Sequence, residues 1–150
     1  MRDAIATRKA MGCVNQIPHF LGLLASVQTQ AGNPAEGLAL LNEALAIVDR
    51  TQERWFEAEL HRLRAEALLA SLPAGPAEAE ASLRRALAVA REQGARFWEL
   101  RAANSLARLW RDQGKCIEAR DLLAPIYGWF TEGFDTSVLK DAKVLLDQLG

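Results

Sequence analysis

The chain has 150 residues, half of them hydrophobic, and its 18 basic and 19 acidic residues leave a formal net charge of −1. That length suits one domain or three to four stacked repeats, and the near-zero charge argues against bulk nucleic-acid or polyanion binding. No stretch approaches the roughly 18 consecutive apolar residues of a membrane-spanning helix, and the first residues lack the apolar run of a signal peptide, so a cytoplasmic location is expected.

Ala and Leu dominate, β-branched residues are few, and Gly and Pro fall almost wholly between periodic segments. This composition predicts an all-α chain. Residues 2–11 carry helix formers without a start signal, so 1–17 is expected to be the remnant of a preceding repeat. Pro18 suits a first helical position. The face Leu21, Leu24, Ala25, Gln28 predicts a helix to about Gln30. In Ala31-Gly32-Asn33-Pro34, Gly32 stops that helix and Asn33 caps the next, which runs to about Arg50 with Leu38, Leu41, Ala44, Leu45 and Val48 inward.

A second unit opens near Glu53-Arg54-Trp55, buries Phe56, Leu60, Leu63 and Ala67, and turns at Pro73-Ala74-Gly75-Pro76, a turn expected to match the first in length. Its second helix stops at Gln93-Gly94. A third unit spans 96–130 with a turn at Gly114-Lys115. After a longer connection, Asp135 or Thr136 caps a last helix whose face carries Val138, Leu139, Ala142, Leu145, Leu146 and Leu149. The expected organisation is one domain, 1–150, with repeats at about 18–50, 54–93 and 96–130 and a capping helix at about 136–149.

These units repeat in step. The segment PAEGLALLNEAL at 34–45 returns as PAEAEASLRRAL at 76–87 and, degraded, as CIEARDLLAPIY at 116–127. A fixed period in this range means stacked helical units. The small residues set the frame: Ala25, Ala67 and Ala107 in the first helices, then Gly37, Ala79 and Ala119, then Ala44, Ala86 and Ile126 in the second. Between the last two sets lie Leu41, Leu83 and Leu123.

This spacing resembles the tetratricopeptide repeat (TPR), with a period of 40 to 42 residues rather than 34 and with Ile126 large where the family has Ala. HEAT-like pairs share the period but not the small-residue spacing. The resemblance implies a right-handed TPR-like superhelix, an α-solenoid of three helix pairs plus a C-terminal capping helix, that mediates protein binding. Three further segments, RWFEAELHRLRAE (54–66), WELRAANSLARLW (98–110) and YGWFTEGFDT (127–136), resemble the C-terminal TPR region of bacterial multidomain signalling proteins. In these an adenylate/guanylate cyclase or winged-helix DNA-binding domain precedes an AAA-type ATPase. That likeness implies a regulatory tail of a larger parent, whose cyclase, ATPase or transcriptional activity belongs to other domains.

Chemistry within the chain itself is sparse. Gly114-Lys115-Cys116 lacks the upstream glycine and the hydroxyl of a phosphate loop. Cys13 and Cys116 are isolated thiols. His19 and His61 lack a third metal ligand or a carboxylate at suitable spacing. Trp55 and Trp98 read as junction packing, Trp110 as core. Glu36, Glu78 and Glu118 sit at the positive ends of the second helices. No catalytic residue, cofactor or metal site is expected.

In the TPR family, ligands meet first-helix positions six and three before, and one, four and five after, the mid-helix small residue. Carried onto this frame, those positions hold His19, Gly22, Ser26, Thr29 and Gln30, then His61, Arg64, Leu68, Ser71 and Leu72, then Arg101, Asn104, Arg108, Arg111 and Asp112. The resulting concave face is basic, and arginines hold carboxylates by two-point contact. It suits an acidic protein or peptide, or upstream domains of the same parent, and equally a plain solvated surface. The expected function is a non-catalytic scaffold in signal transduction. An uncovered N-terminal repeat face offers a homodimer contact.

Overall fold

The computed structural model describes Asp3, residues 16–71 and residues 75–150. The remnant expected over 1–17 therefore lies almost wholly outside the described residues, as do Cys13, Leu72, Pro73 and Ala74. The described residues form seven helices and no strand: α1 (Ile17–Gln30), α2 (Pro34–Thr51), α3 (Glu57–Ala70), α4 (Pro76–Glu92), α5 (Arg96–Asp112), α6 (Cys116–Gly128) and α7 (Ser137–Leu149).

Proline opens α1, α2 and α4, where its missing N–H removes no helical hydrogen bond. Gly32 and Gly114 end α1 and α5 with φ of 89° and 81°, a backbone shape that penalises any Cβ. At each, two bonds reach back into the last turn. Asn33 N–H donates to Gln28 O (2.8 Å) and Gly32 N–H to Thr29 O (3.2 Å); Lys115 and Gly114 N–H donate likewise to Trp110 O (2.8 Å) and Arg111 O (2.9 Å). That is a Schellman closure. The expected side-chain caps do not form. Asn33 Nδ2 donates to Gln28 Oε1 (3.2 Å) and Thr136 Oγ1 to Gly133 O (2.6 Å), so both side chains serve the turn behind them.

Packing is sequential. Each helix lies on the next, and beyond that α1 touches α3, α3 touches α5 and α5 touches α7; no other pair of these helices meets. The odd-numbered helices thus form one continuous layer, backed by α2, α4 and α6, each held within its own neighbourhood. Two cores result. One joins Ile17, Leu21, Leu41, Ala44 and Val48 to Phe56, just before α3, and to Leu60, Leu63 and Ala67 of α3. The other joins Ala65 and Leu68 of α3 to α4, α5, α6 and the α7 face Val138, Leu139, Ala142 and Leu145.

Small residues allow the paired helices their close approach. A Cβ on Gly37 would sit 2.5 Å from Thr29 Oγ1 and 3.0 Å from Ala25 O. Ala79 and Ala119, at the matching points of α4 and α6, are fully buried, as are Ala25, Ala67 and Ala107. Ile126 is accepted although large, buried in the second core. Overpacking such a contact costs about 1–3 kcal/mol. We therefore expect Ala107→Leu to lower the thermal unfolding midpoint; an unchanged midpoint would mean that Ala107 does not lie between packed helices.

Candidate functional site

The odd-helix layer carries a groove of about 300 Å³ lined by Ser26 and Gln30 of α1, Arg62 and Glu66 of α3, Arg101, Asn104, Ser105 and Arg108 of α5, and Val138 and Asp141 of α7. Of these, Ser26, Gln30, Arg101, Asn104 and Arg108 stand at expected offsets, and Ser105 does not. From α3 come neither His61 nor Arg64.

The reason is a two-residue slip in the middle frame. Three residues separate α1 from α2 and α5 from α6, whereas five (71–75) separate α3 from α4, so the turns are not of equal length. Gln30 and Asp112 end their helices five residues after Ala25 and Ala107, and Ala70 ends α3 five residues after Ala65. Ala65 is thus the partner of Ala25 and Ala107. The same offsets, counted from Ala65, fall on Glu59, Arg62 and Glu66. Arg64 turns towards α4 instead, and His61 sits beside Glu57 of its own helix. Arg64 Nη1 donates to Ser82 Oγ (2.6 Å), and His61 Nε2 lies 3.7 Å from Glu57 Oε1.

His19 is half-buried among aromatic rings, 4.6 Å from Phe56 and 5.3 Å from Trp55 between centroids, and among the described residues joins none of the groove arginines. Gly22 is buried against α3, where a Cβ would come within 2.9 Å of Leu60 and Phe56. Arg111 lies beyond the groove, bound to Asp112 Oδ1 (3.1 Å) and Gln148 Oε1 (2.5 Å). Among the tryptophans, Trp110 is buried as expected, while Trp98 packs edge-on to Phe56 at 5.6 Å across the α3–α5 junction.

The groove floor is an ion set that a charge count from sequence does not reveal. Glu59, buried, accepts from Arg62 (2.9 and 2.6 Å) and from Arg101 (3.3 and 2.9 Å). Arg62 also bonds Glu66, and Arg108 stands 3.5 Å from Asp141. Three arginines thus face three carboxylates, and the face expected to be basic is balanced. Burial works against the charge of Arg62, but Glu59 and then Glu66 outweigh it and raise its pKa above the ordinary arginine value. Asn104, 4% exposed, donates Nδ2 to Val138 O (3.1 Å), and its buried Oδ1 has no partner among the described residues.

Arg54–Glu57 and Arg96–Glu99 repeat the same (i, i+3) pair at the starts of α3 and α5, with both carboxylates buried. Glu57 is also approached by Arg85 (3.5 Å), and Glu99 by Arg91 (2.8 Å), each from α4. The signal available in sequence was the 42-residue spacing of RWFE at 54–57 and RFWE at 96–99, which fixes the first-helix register better than the alanines do.

Among the described residues no group of His, Cys, Asp and Glu could hold a metal ion, and no helix is long and apolar enough to cross a membrane. No protein-family model matches the chain, and neither does any curated protein.

Two outcomes test this geometry. Removing one partner of a buried ion pair typically costs about 3–5 kcal/mol, whereas an exposed pair contributes under about 1 kcal/mol. Arg62→Ala, which strips Glu59 of one cation, should therefore destabilise far more than Glu66→Ala, whose carboxylate is half-exposed; equal losses in chemical denaturation would contradict the placement. His61 has its pKa lowered from about 6.5, by burial first and then by Arg85 and Arg64 against the pull of Glu57. The unfolded chain binds that proton at higher pH than the folded one, so the His61 contribution is full above pH ~6.5 and fades as pH falls towards the lower folded value. His61→Gln should flatten that part of the stability–pH curve, and an unchanged curve would count against it.

Proposed function

We propose that the chain is a right-handed TPR-like α-solenoid of three helix pairs and a capping helix, and that it binds a protein segment along the odd-helix layer without catalysing a reaction. The observation that carries this is the groove itself. Sequential packing collects side chains from four helices into one solvent-facing, polar channel, a shape suited to an extended chain with little rearrangement. Whether the segment comes from another protein or from other domains of a larger cytoplasmic signalling parent, the chemistry asked of it is the same.

The partner inferred from the charges is a segment bearing both signs, not a purely acidic one. Arg62 and Arg101 are held by buried Glu59, but Arg108 and Asp141 are a loose pair, 44% and 58% exposed, that a ligand can exchange at small cost. The test is selection of random displayed peptides on the whole chain, followed by anisotropy with the synthetic peptides. Selected peptides should weaken at least about tenfold with Arg108→Glu, through repulsion replacing attraction, and should weaken with added salt. No enrichment, or peptides indifferent to both changes, would overturn the proposal.

A further inference from the structure

A second cavity, of about 530 Å³, lies at the other end of α5, lined by Phe97 and Leu100 of α5, Trp129–Gly133 of the α6–α7 connection, and Thr136 and Leu139. It is large enough for a bulky side chain with neighbouring backbone. Its walls are mostly aromatic and aliphatic, yet Phe97 and Trp129 are 46% and 55% exposed, an unusual position for two large rings at one opening. The wall is built for this shape. Gly133 has φ of 77°, and Thr136 Oγ1 is already engaged with Gly133 O, leaving Glu132 and Thr131 as the polar groups at the mouth.

This cavity and the polar groove are one track. Phe97, Arg101, Ser105 and Arg108 follow one another at helical spacings of four, four and three, so they line a single stripe of α5. Arg101 is the link: its guanidinium lies 5.9 Å from the Phe97 ring while the same residue lines the groove. On α7, Leu139 lines the cavity and Val138 and Asp141 line the groove. From Phe97 to Arg108 the helix rises about 16 Å, the length of about five residues of extended chain.

We infer that the apolar cavity is an anchor subsite for the same partner segment, taking one large aromatic or aliphatic side chain about five residues from a charged pair that meets Arg108 and Asp141. This rests on the peptide-binding function proposed above. The complementarity argues for a peptide: a free apolar molecule satisfies the cavity but leaves the exchangeable ions at the far end unused, and a fully charged segment leaves the water-exposed parts of Phe97 and Trp129, each already approached by one guanidinium (Arg101 and Arg96), without an apolar partner. Buried aromatic anchors ringed by polar contacts carry most of the binding energy in such interfaces.

The test uses the displayed-peptide selection with the whole chain. Enriched peptides should share a large apolar residue about five positions from charged residues of both signs. Changing that residue to Ser in the synthetic peptide should lower affinity at least about tenfold, and Phe97→Ala and Trp129→Ala should do the same with the helical spectrum and melt preserved. Ile117→Ala, at an exposed residue lining neither cavity, should change nothing. Peptides that respond to Arg108→Glu but not to the apolar substitution in the peptide would overturn the anchor and leave the groove standing. No enriched peptide would overturn both. A concentration-dependent dimer abolished by Trp129→Ala would make the cavity a contact between copies of this chain and overturn the peptide assignment.

Discussion

The rest of the molecule depends on α3 being buried on two sides at once. Within fourteen residues it gives Leu60, Leu63 and Ala67 to the core beneath α1 and α2, and Ala65 and Leu68 to the core shared with α4 to α7. A lone helix pair cannot close its own apolar face, so each unit is stable only against a neighbour. The helix that joins two units then has little free surface for polar side chains. Glu57, Glu59 and Arg62 are buried for that reason, not because a buried charge is favourable in itself.

Buried charges must find partners, because leaving water without one costs several kcal/mol. Some partners are local, as Arg62 is for Glu59, and others lie on adjacent helices: Arg85 of α4 for Glu57 and Arg101 of α5 for Glu59, while Glu99 of α5 draws Arg91 of α4. Replacing such a set by apolar residues is often nearly neutral, whereas breaking it is severe. The asymmetry makes these ions a constraint on alignment more than a source of stability. A two-residue slide of α5 along α3 preserves much apolar contact, since alanines abound on both, but it leaves Glu59 and Arg101 facing the wrong groups.

That is also where sequence and structure part. The seven helices, their proline starts and glycine stops, and the buried face of α7 were legible because they follow from local rules of backbone and period. Some groove positions of α1 and α5 were legible too, Ser26, Gln30, Arg101, Asn104 and Arg108, although His19, Gly22 and Arg111 fall outside the groove. Those of α3 were not, because Ala65 and Ala67 are both small and both buried, and local composition cannot choose between them. The repeated Arg–x–x–Glu start held the answer, but its meaning appears only once the arginines of α4 and α5 are seen around the carboxylates. Likewise four arginines on a predicted face suggest positive potential, and only the fold shows Glu59, Glu66 and Asp141 beside them.

A balanced groove recognises its ligand differently from a basic one. With no net field there is little long-range steering, so association should run at the ordinary diffusional rate for docking two patches and discrimination should lie in dissociation. Each exposed pair surrendered by the protein must be replaced by a pair from the ligand, so mismatched charge order is penalised twice, once for the broken internal pair and once for the unpaired ligand charge. A side chain seated in the proposed apolar subsite would add affinity without relaxing that demand. Under the binding function proposed above, recognition would rest on the order of side chains along the segment rather than on its total charge, which is what a channel floored by fixed ions and edged by loose ones is physically able to read.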